Sequence, residues 1–498
     1  MRSAPTSSED NRALQLALGI IVAVTLIRCA VLVISPLDLY PDEAQYWWWA
    51  QTPAAGYFSK PPMIAWIIWF STTVFGQAEW AIRIASPLFH AATALLIFGI
   101  AHRKMDSRLS AIAAVAYLTL PGISYSSGLI STDVPLLFFW AAALYAFLRG
   151  CEDHLWRWSI IGGVALGLGL LSKYAMLYFF AGAAISAFWT QSARRYLLST
   201  QALATLSLAA FVFAPNLIWN GLHGFPTVSH TAANADWARS RYSVTGLLAF
   251  ALGQFGVFGP ILMAGWIAAL WRLARNSQRR ETDPILAAFS LPPLLLILIQ
   301  AFVAGANANW AATAYVAATP LAVAEIAQWW KTRALWASFV ISGIVCAALW
   351  VFLTQPEIAD RAGIGNVFKR EEGWRALGAE VARVSRGAPF DAIAADNRSI
   401  AAELLYYARP RRAPMRVWSR DFGIRDHFEM TMRLEPGSKR VLLAIEPTAA
   451  KRVLASFDSA TFIRSIRTTV GGHHQRLIEL YDARDYRGPQ LILGAENG

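Results

Sequence analysis

Two stretches near the amino end hold the residues best suited to chemistry. Tyr40-Pro41-Asp42-Glu43-Ala44-Gln45-Tyr46-Trp47-Trp48-Trp49 sets two adjacent carboxylates before a run of aromatics. Gly56-Tyr57-Phe58-Ser59-Lys60-Pro61-Pro62 follows, with a lysine held against two prolines. Both come directly after a long apolar segment, Leu14 to Ile34. Charge at a membrane face is costly, so charge retained there points to function. A carboxylate can take a proton from an attacking hydroxyl. A lysine can stabilise charge developing on a phosphate. Acids, lysines and aromatics together therefore suit a sugar and a phosphate. Asp133, in Ser131-Thr132-Asp133-Val134-Pro135, together with Lys173, Asn307, Asn309 and Trp310, extends the set, and His223 and His230 lie in a nearby loop.

Each of these residues also has a plainer reading. Asp42 and Glu43 would suit a helix N-terminus after Pro41, and Asp133 would serve as an N-cap with Pro135 in the first turn. Lys60 and Lys173 can snorkel to headgroups. The tryptophans can form an interfacial belt. The histidines read as ordinary loop residues, and Arg28, inside the first apolar run, can snorkel or pair with an acid.

The elements that must position these residues are read from composition. Hydrophobic residues make up 56% of the chain and charged residues only 15%, well below the roughly 25% charged content of soluble domains. The class is a polytopic membrane protein. Apolar runs suggest about eleven spans of the ~20 residues needed to cross a bilayer: near 13–35, 80–100, 108–124, 133–149, 157–171, 173–190, 198–219, 245–270, 284–304, 310–330 and 334–353. As one helix, Trp158–Trp189 would be about 48 Å long, too long for a ~30 Å core, so it is divided at Leu171-Ser172-Lys173. Cys29, Cys151 and Cys346 lie far apart and suggest neither disulfides nor a zinc site.

Charge supports this division. One side receives Arg103, Lys104, Arg108, Arg149, Arg157, Arg194, Arg195, Arg272 and further basic residues; the other receives Lys60, Arg83, Lys173, Arg239 and Arg241. That asymmetry predicts a cytoplasmic amino terminus and puts the acids and everything after Leu353 on the outer face. The net charge of +12 is mostly loop charge of this kind, and nucleic acid is not an expected partner. Residues 1–355 are read as the membrane domain and 356–498 as an outer α/β domain. In the tail, strands are expected at Phe390–Ala395, Arg416–Trp418, Arg440–Ile445, Thr461–Ile466 and Gln475–Tyr481, with a helix at Ser399–Ala408. No phosphate loop, dinucleotide fingerprint or internal repeat is present.

Taken in order, Pro41–Tyr46, Gly56–Pro62, Arg83, Thr132–Leu136, Gly167–Tyr174, Asn309-Trp310 and Gly373-Trp374-Arg375 resemble the outer-face glycosyltransferases of family 39 and its relatives. These include protein O-mannosyltransferases, ArnT-type aminoarabinose transferases and Rgt-type galacturonosyltransferases. The first two motifs are most similar to the Rgt-type branch.

The resemblance implies a GT-C fold: an all-α membrane bundle with short outer-face helices inside 41–76 and 222–243, plus the small C-terminal α/β domain. It implies a sugar donor on polyprenyl phosphate, an envelope acceptor such as lipopolysaccharide or lipid A, and transfer by single inversion in a bacterial inner membrane, with the tail periplasmic. Asp42 matches the catalytic aspartate and takes the base role, Glu43 would orient it, and Asp133 matches a second acidic position. Lys60, Lys173, Arg83 and Arg241 would bind the donor phosphate. Tyr46, Tyr57, Asn309 and Trp310 would contact substrate. No cofactor is assigned, and a divalent metal at Asp42 and Asp133 stays open because no dedicated ligand spacing is seen. The tail arginines Arg409, Arg411, Arg412 and Arg416 would suit an anionic glycolipid. The competing reading, a flippase for lipid-linked glycans, would favour acids at the midplane and broken helices. Acids gathered at one face favour an enzyme, and Gly162, Gly163, Gly167 and Gly169 read as helix-packing positions.

Overall fold

A computed structural model describes residues 7–237, 242–275, 282–329 and 331–489. The chain forms two compact units. One comprises residues 1–33, 60–67 and 83–350, and the other comprises 34–59, 68–82 and 351–498.

Among the described residues, six helices are long and apolar enough to cross a bilayer: Asn11–Ile34, Glu79–His102, Asp133–Asp153, Thr200–Leu222, Thr282–Val303 and Arg333–Thr354. They coincide with six of the expected spans. Their outward side chains are apolar, as Leu16, Leu203, Phe211 and Ile344 show, which suits a lipid environment. The run 157–190 divides where expected. Helix Trp156–Ser172 ends, Lys173 is extended, and the turn Tyr174–Leu177 leads into helix Tyr178–Trp189.

Three expected spans are not single helices. The segment 108–124 is Ser107–Leu118 followed by Pro121–Ser126. The segment 310–330 is the single turn Ala308–Ala311 followed by helix Ala314–Trp329. The segment 245–270 is a correction: Val244–Phe258 and Pro260–Arg275 meet at 108°. Gly259 adopts φ of 87°, a left-handed conformation open to glycine, and Pro260 has no N–H to continue the ladder. Counting that bent pair once, length and composition support up to seven crossings. The shorter apolar helices Met63–Phe75, Ser107–Leu118, Trp156–Ser172 and Tyr174–Trp189 accompany them.

Two kinds of contact build the first unit. Phe147, Phe179 and Trp140 pack their rings around Phe289, at centroid distances of 5.2, 4.6 and 6.4 Å. Helix Trp156–Ser172 packs against Thr200–Leu222, where a Cβ at Gly167 would lie 2.6 Å from the Cβ of Val212. Only glycine permits that approach.

The second unit holds a five-stranded sheet: β1 (Ala392–Ala395), β2 (Met415–Val417), β3 (Arg440–Ile445), β4 (Phe457–Val470) and β5 (His474–Tyr486), in the order β2-β1-β3-β5-β4. The β2-β1-β3 half is parallel and the β3-β5-β4 half antiparallel. Strand β1 is a wholly buried alanine- and isoleucine-rich run, as a parallel strand covered on both faces requires. Helix Arg398–Tyr407 connects β1 to β2. Arms β4 and β5 are much longer than the expected strands. They turn through Gly471 and Gly472, both at positive φ.

This unit also contains helix Pro41–Ala50, which packs on helix Arg398–Tyr407. Its flanks are tied to the tail. The Asp38 carboxylate accepts the Trp374 N–H at 2.8 Å, and the Tyr407 hydroxyl accepts the Leu39 N–H at 2.7 Å. Trp47 and Tyr406 both hydrogen-bond Gln77, and Arg375 pairs with Glu79 at 2.7 Å.

Candidate active site

Helix Pro41–Ala50 starts where the sequence says it should. Pro41 occupies the first helical position, and the Glu43 carboxylate accepts the Tyr40 N–H at 2.9 Å to close the helix start. Glu43 is buried. Its visible role is to set the helix that carries Asp42. Asp42 stands in the first turn with its side chain 37% exposed. Its Oδ1 accepts Arg398 Nη1 at 2.8 Å, and the same nitrogen reaches Gln45 Oε1 at 3.1 Å. Among the described residues, Oδ2 makes no hydrogen bond. Burial works against the Arg398 charge, but Asp42, with Tyr46 and Asp426 behind it, holds the guanidinium above its ordinary value. Asp42 is thus an oriented carboxylate with one oxygen held and one open.

Tyr46 and Tyr57 are both buried. The Tyr46 ring lies 5.3 Å from that of Trp49, and the Tyr57 ring stacks on Trp49 at 4.5 Å. The Tyr57 hydroxyl donates to the Trp49 carbonyl at 3.1 Å and accepts from the Ala54 N–H at 3.0 Å. Burial pushes the Tyr57 phenol up to about 12. Tyr46 belongs to the acid helix, and Tyr57 packs on that helix through Trp49. His427, from the tail, places its ring 5.3 Å from Trp49, and burial pulls its imidazole down to about 4.

In the first unit, Asp133 is the first residue of helix Asp133–Asp153 and is buried. Lys173 Nζ donates to its Oδ1 and Asn309 Nδ2 to its Oδ2, each at 2.7 Å. The structure therefore brings three sequence-predicted residues, Asp133, Lys173 and Asn309, onto one carboxylate. Lys173 reaches it because the chain is extended between two helices, and Asn309 because it lies in the turn Ala308–Ala311. Trp310 is half-buried against the core of this unit. Lys60 is half-buried in the turn before helix Met63–Phe75, and Arg83 is buried at the end of helix Glu79–Arg83. Arg241 lies outside the described residues.

The sequence leaves a divalent metal open at Asp42 and Asp133. Hard cations take several oxygen ligands, whereas each of these carboxylates faces a cationic side chain. Among the described residues, no three His, Cys, Asp or Glu side chains gather to hold an ion. These residues do not fit a metal, and no step below uses one.

Sequence reading missed Arg398 as a site residue. Its local signal is Asn397-Arg398-Ser399, an N-cap motif in which Asn397 Oδ1 accepts the N–H groups of Ser399 and Ile400. That signal marks a helix start and does not name a partner 356 positions away. Arg409, one of the tail arginines that would suit an anionic glycolipid, lies over the rings of Trp47 and Tyr406, at 4.5 and 4.4 Å.

Residues 59–219 match the family described as dolichyl-phosphate-mannose-protein mannosyltransferase. The chain is 36% identical over 402 residues to the lipid A galacturonosyltransferase RgtD of Rhizobium johnstonii, covering 80% of this chain and 84% of that one. It is 28% identical to the lipopolysaccharide core galacturonosyltransferase RgtA of the same organism, over 47% of this chain and 48% of that protein. The crystal structure of ArnT from Cupriavidus metallidurans bound to undecaprenyl phosphate superposes with a TM-score of 0.67 at 16% identity, covering 94% and 98% of the two chains. That likeness shows the shared GT-C fold. With motifs, fold and sequence similarity over 80% of the chain in agreement, the chain belongs to the Rgt-like, ArnT-type membrane glycosyltransferases, and is a transferase rather than a flippase.

Proposed function

We propose that this glycosyltransferase moves a sugar, with a uronic acid favoured, from a polyprenyl-phosphate carrier to the lipid A or core of lipopolysaccharide at the periplasmic face of a bacterial inner membrane. The sugar and acceptor are suggested by the relative that matches over most of its length. The carrier is suggested by relatives named as undecaprenyl-phosphate arabinosyl transferases. The orientation rests on the positive-inside asymmetry, with the amino terminus cytoplasmic and the tail, residues 356–498, outside.

The observation that carries the mechanism is the exposed Asp42 carboxylate, oriented through Oδ1 by Arg398 and open at Oδ2. In this reading an acceptor hydroxyl attacks the anomeric carbon. Its proton passes to Asp42 as the new C–O bond forms. The bond from the anomeric carbon to the phosphate oxygen breaks, its electron pair leaves with the lipid phosphate, and the configuration inverts. Lys60, with Arg83 and Arg241, stabilises the departing phosphate. Lys173 serves that role only through or in exchange with Asp133, which already holds its ammonium. Asp133 orders the segment around Lys173 and Asn309.

The test is mass spectrometry of envelope glycolipids from cells carrying the wild type or Asp42→Asn. Loss of one sugar mass from a defined lipid A or core species in the variant supports the reading and names the sugar. Unchanged glycolipids with equal expression would overturn the base assignment.

A further inference from the structure

A cavity of about 320 Å³ opens in the tail, lined by residues that follow β1 and β2 together with Arg452 from helix Pro447–Leu454. The sheet order makes this position informative. Strand β1 lies between β2, reached through helix Arg398–Tyr407, and β3 on its other side. In open α/β sheets, ligands bind outside the carboxyl ends of the strands where the order reverses. Its volume is at the lower end for small-molecule sites, which begin at about 300 Å³.

Four arginines from three segments line it: Arg398, then Arg420 and Arg425 in the stretch after β2, and Arg452. Two are matched. Arg398 holds Asp42, and Arg425 holds Asp421 and Glu429. The Asp426 carboxylate caps its own helix, accepting the Phe428 and Glu429 N–H groups at 2.8 and 2.9 Å. Two are not well matched. Arg420 is 60% exposed, with Asp421 at 3.8 Å. Arg452 has no carboxylate within 4 Å among the described residues and lies 5.5 Å from the Trp418 ring centroid. Asp396, directly after β1, offsets them only in part, because burial and then Glu446 push its carboxyl up to about 7. Two guanidiniums in the lining, those of Arg420 and Arg452, therefore have no carboxylate closer than 3.8 Å among the described residues and present the planar donor geometry that suits phosphate and carboxylate.

We propose that this cleft is a substrate oxyanion subsite, taking a phosphate monoester or carboxylate, with Arg420 and Arg452 supplying the charge and Arg398 joining the subsite to Asp42. It rests on the proposed transfer to or from an acidic glycolipid. The anion can belong to the acceptor, as a phosphate or uronate, or to a uronic acid donor sugar.

The test uses the full-length protein in neutral detergent, titrated calorimetrically with inorganic phosphate and with sodium galacturonate. The wild type and Asp42→Asn should bind at least one of them saturably, and the Arg420→Gln/Arg452→Gln double variant at least tenfold more weakly. Equal binding by wild type and double variant, or no saturable binding by the wild type, would overturn the subsite. Arg420→Lys/Arg452→Lys keeps the charge and should recover part of the affinity, which separates loss of charge from loss of fold. In a transfer assay the double variant should raise the KM of one substrate about tenfold while kcat changes little. A raised acceptor KM assigns the anion to the acceptor, and a raised donor KM to the donor sugar; movement of neither overturns the proposal. Transfer surviving in Asp42→Asn would instead remove the base assignment and leave the binding result standing.

Discussion

At the residue scale, Asp42 and Asp133 are both carboxylates at the first turn of a helix, yet their surroundings differ. Asp42 keeps one oxygen open and a third of its side chain in solvent. Asp133 has both oxygens held by nitrogen donors and is buried. A general base needs an open oxygen, so Asp42→Asn should lower kcat by about 10²–10⁴ in a variant that still expresses and folds. Asp133 should act through its partners. Asp133→Asn and Lys173→Gln should each lower activity, and the double variant should lose less than their sum, with a coupling energy of about 1 kcal/mol or more. Additive losses in a double-mutant cycle would show that the pair is not coupled. Both acids stand out in the sequence because each lies within two residues of a proline in a short distinctive motif. The lysine–acid–asparagine junction does not, because its members come from three separate stretches.

At the scale of elements, two features make opposite demands on sequence. Helix Trp156–Ser172 must lie close to Thr200–Leu222, which Gly163 and Gly167 allow. Gly167→Leu should lower the melting temperature of the full-length protein, at a cost of about 1–3 kcal/mol or more. Gly19→Leu, where a Cβ would meet nothing within 4 Å, should leave it unchanged, and equal shifts would refute the packing role. Strand β1 ends in Asp396, whose carboxyl is raised by burial and by Glu446 to about 7. Between an ordinary value near 3.8 and that raised value, the folded chain keeps a proton that the unfolded chain releases. Stability from this group is thus complete below about pH 4 and is lost as pH rises through 7. Asp396→Asn should gain melting temperature over the wild type by an amount that grows from pH 4 to pH 7 and then levels. A difference constant across pH would contradict it.

At the scale of the whole molecule, the unit that contains the sheet also contains residues 34–59 and 68–82, so the acid helix depends on residues of the tail. Removing 360–498 takes away Arg398, Trp374, Tyr406 and Tyr407, which hold Asp42, Asp38, Gln77 and Leu39. Transfer should then be lost even where the membrane helices still insert, and equal activity would refute the dependence. Orientation has its own test. Native Cys151 and Cys346 are buried and Cys29 is half-buried, so background labelling should be low. A cysteine at Ser438 should react with an impermeant maleimide in intact spheroplasts, and one at Arg195 only after permeabilisation. The reverse pattern would invert the topology.

What the sequence alone determined is whatever a local pattern carries. Long apolar runs mark membrane helices because each residue there meets the same solvent, and strand β3 was legible to the residue because a buried strand reads as a continuous apolar run. The acid motif, Lys60 and Asp133 stand out in the sequence for a related reason, since charge among apolar runs is costly unless it is used. The tertiary structure decided the rest. The break at Gly259-Pro260 hid inside apolar residues that continue on both sides. The grip of Arg398 on Asp42 joins positions 356 residues apart. Such a contact arises only when the chain folds back on itself, and nothing in either local sequence records it.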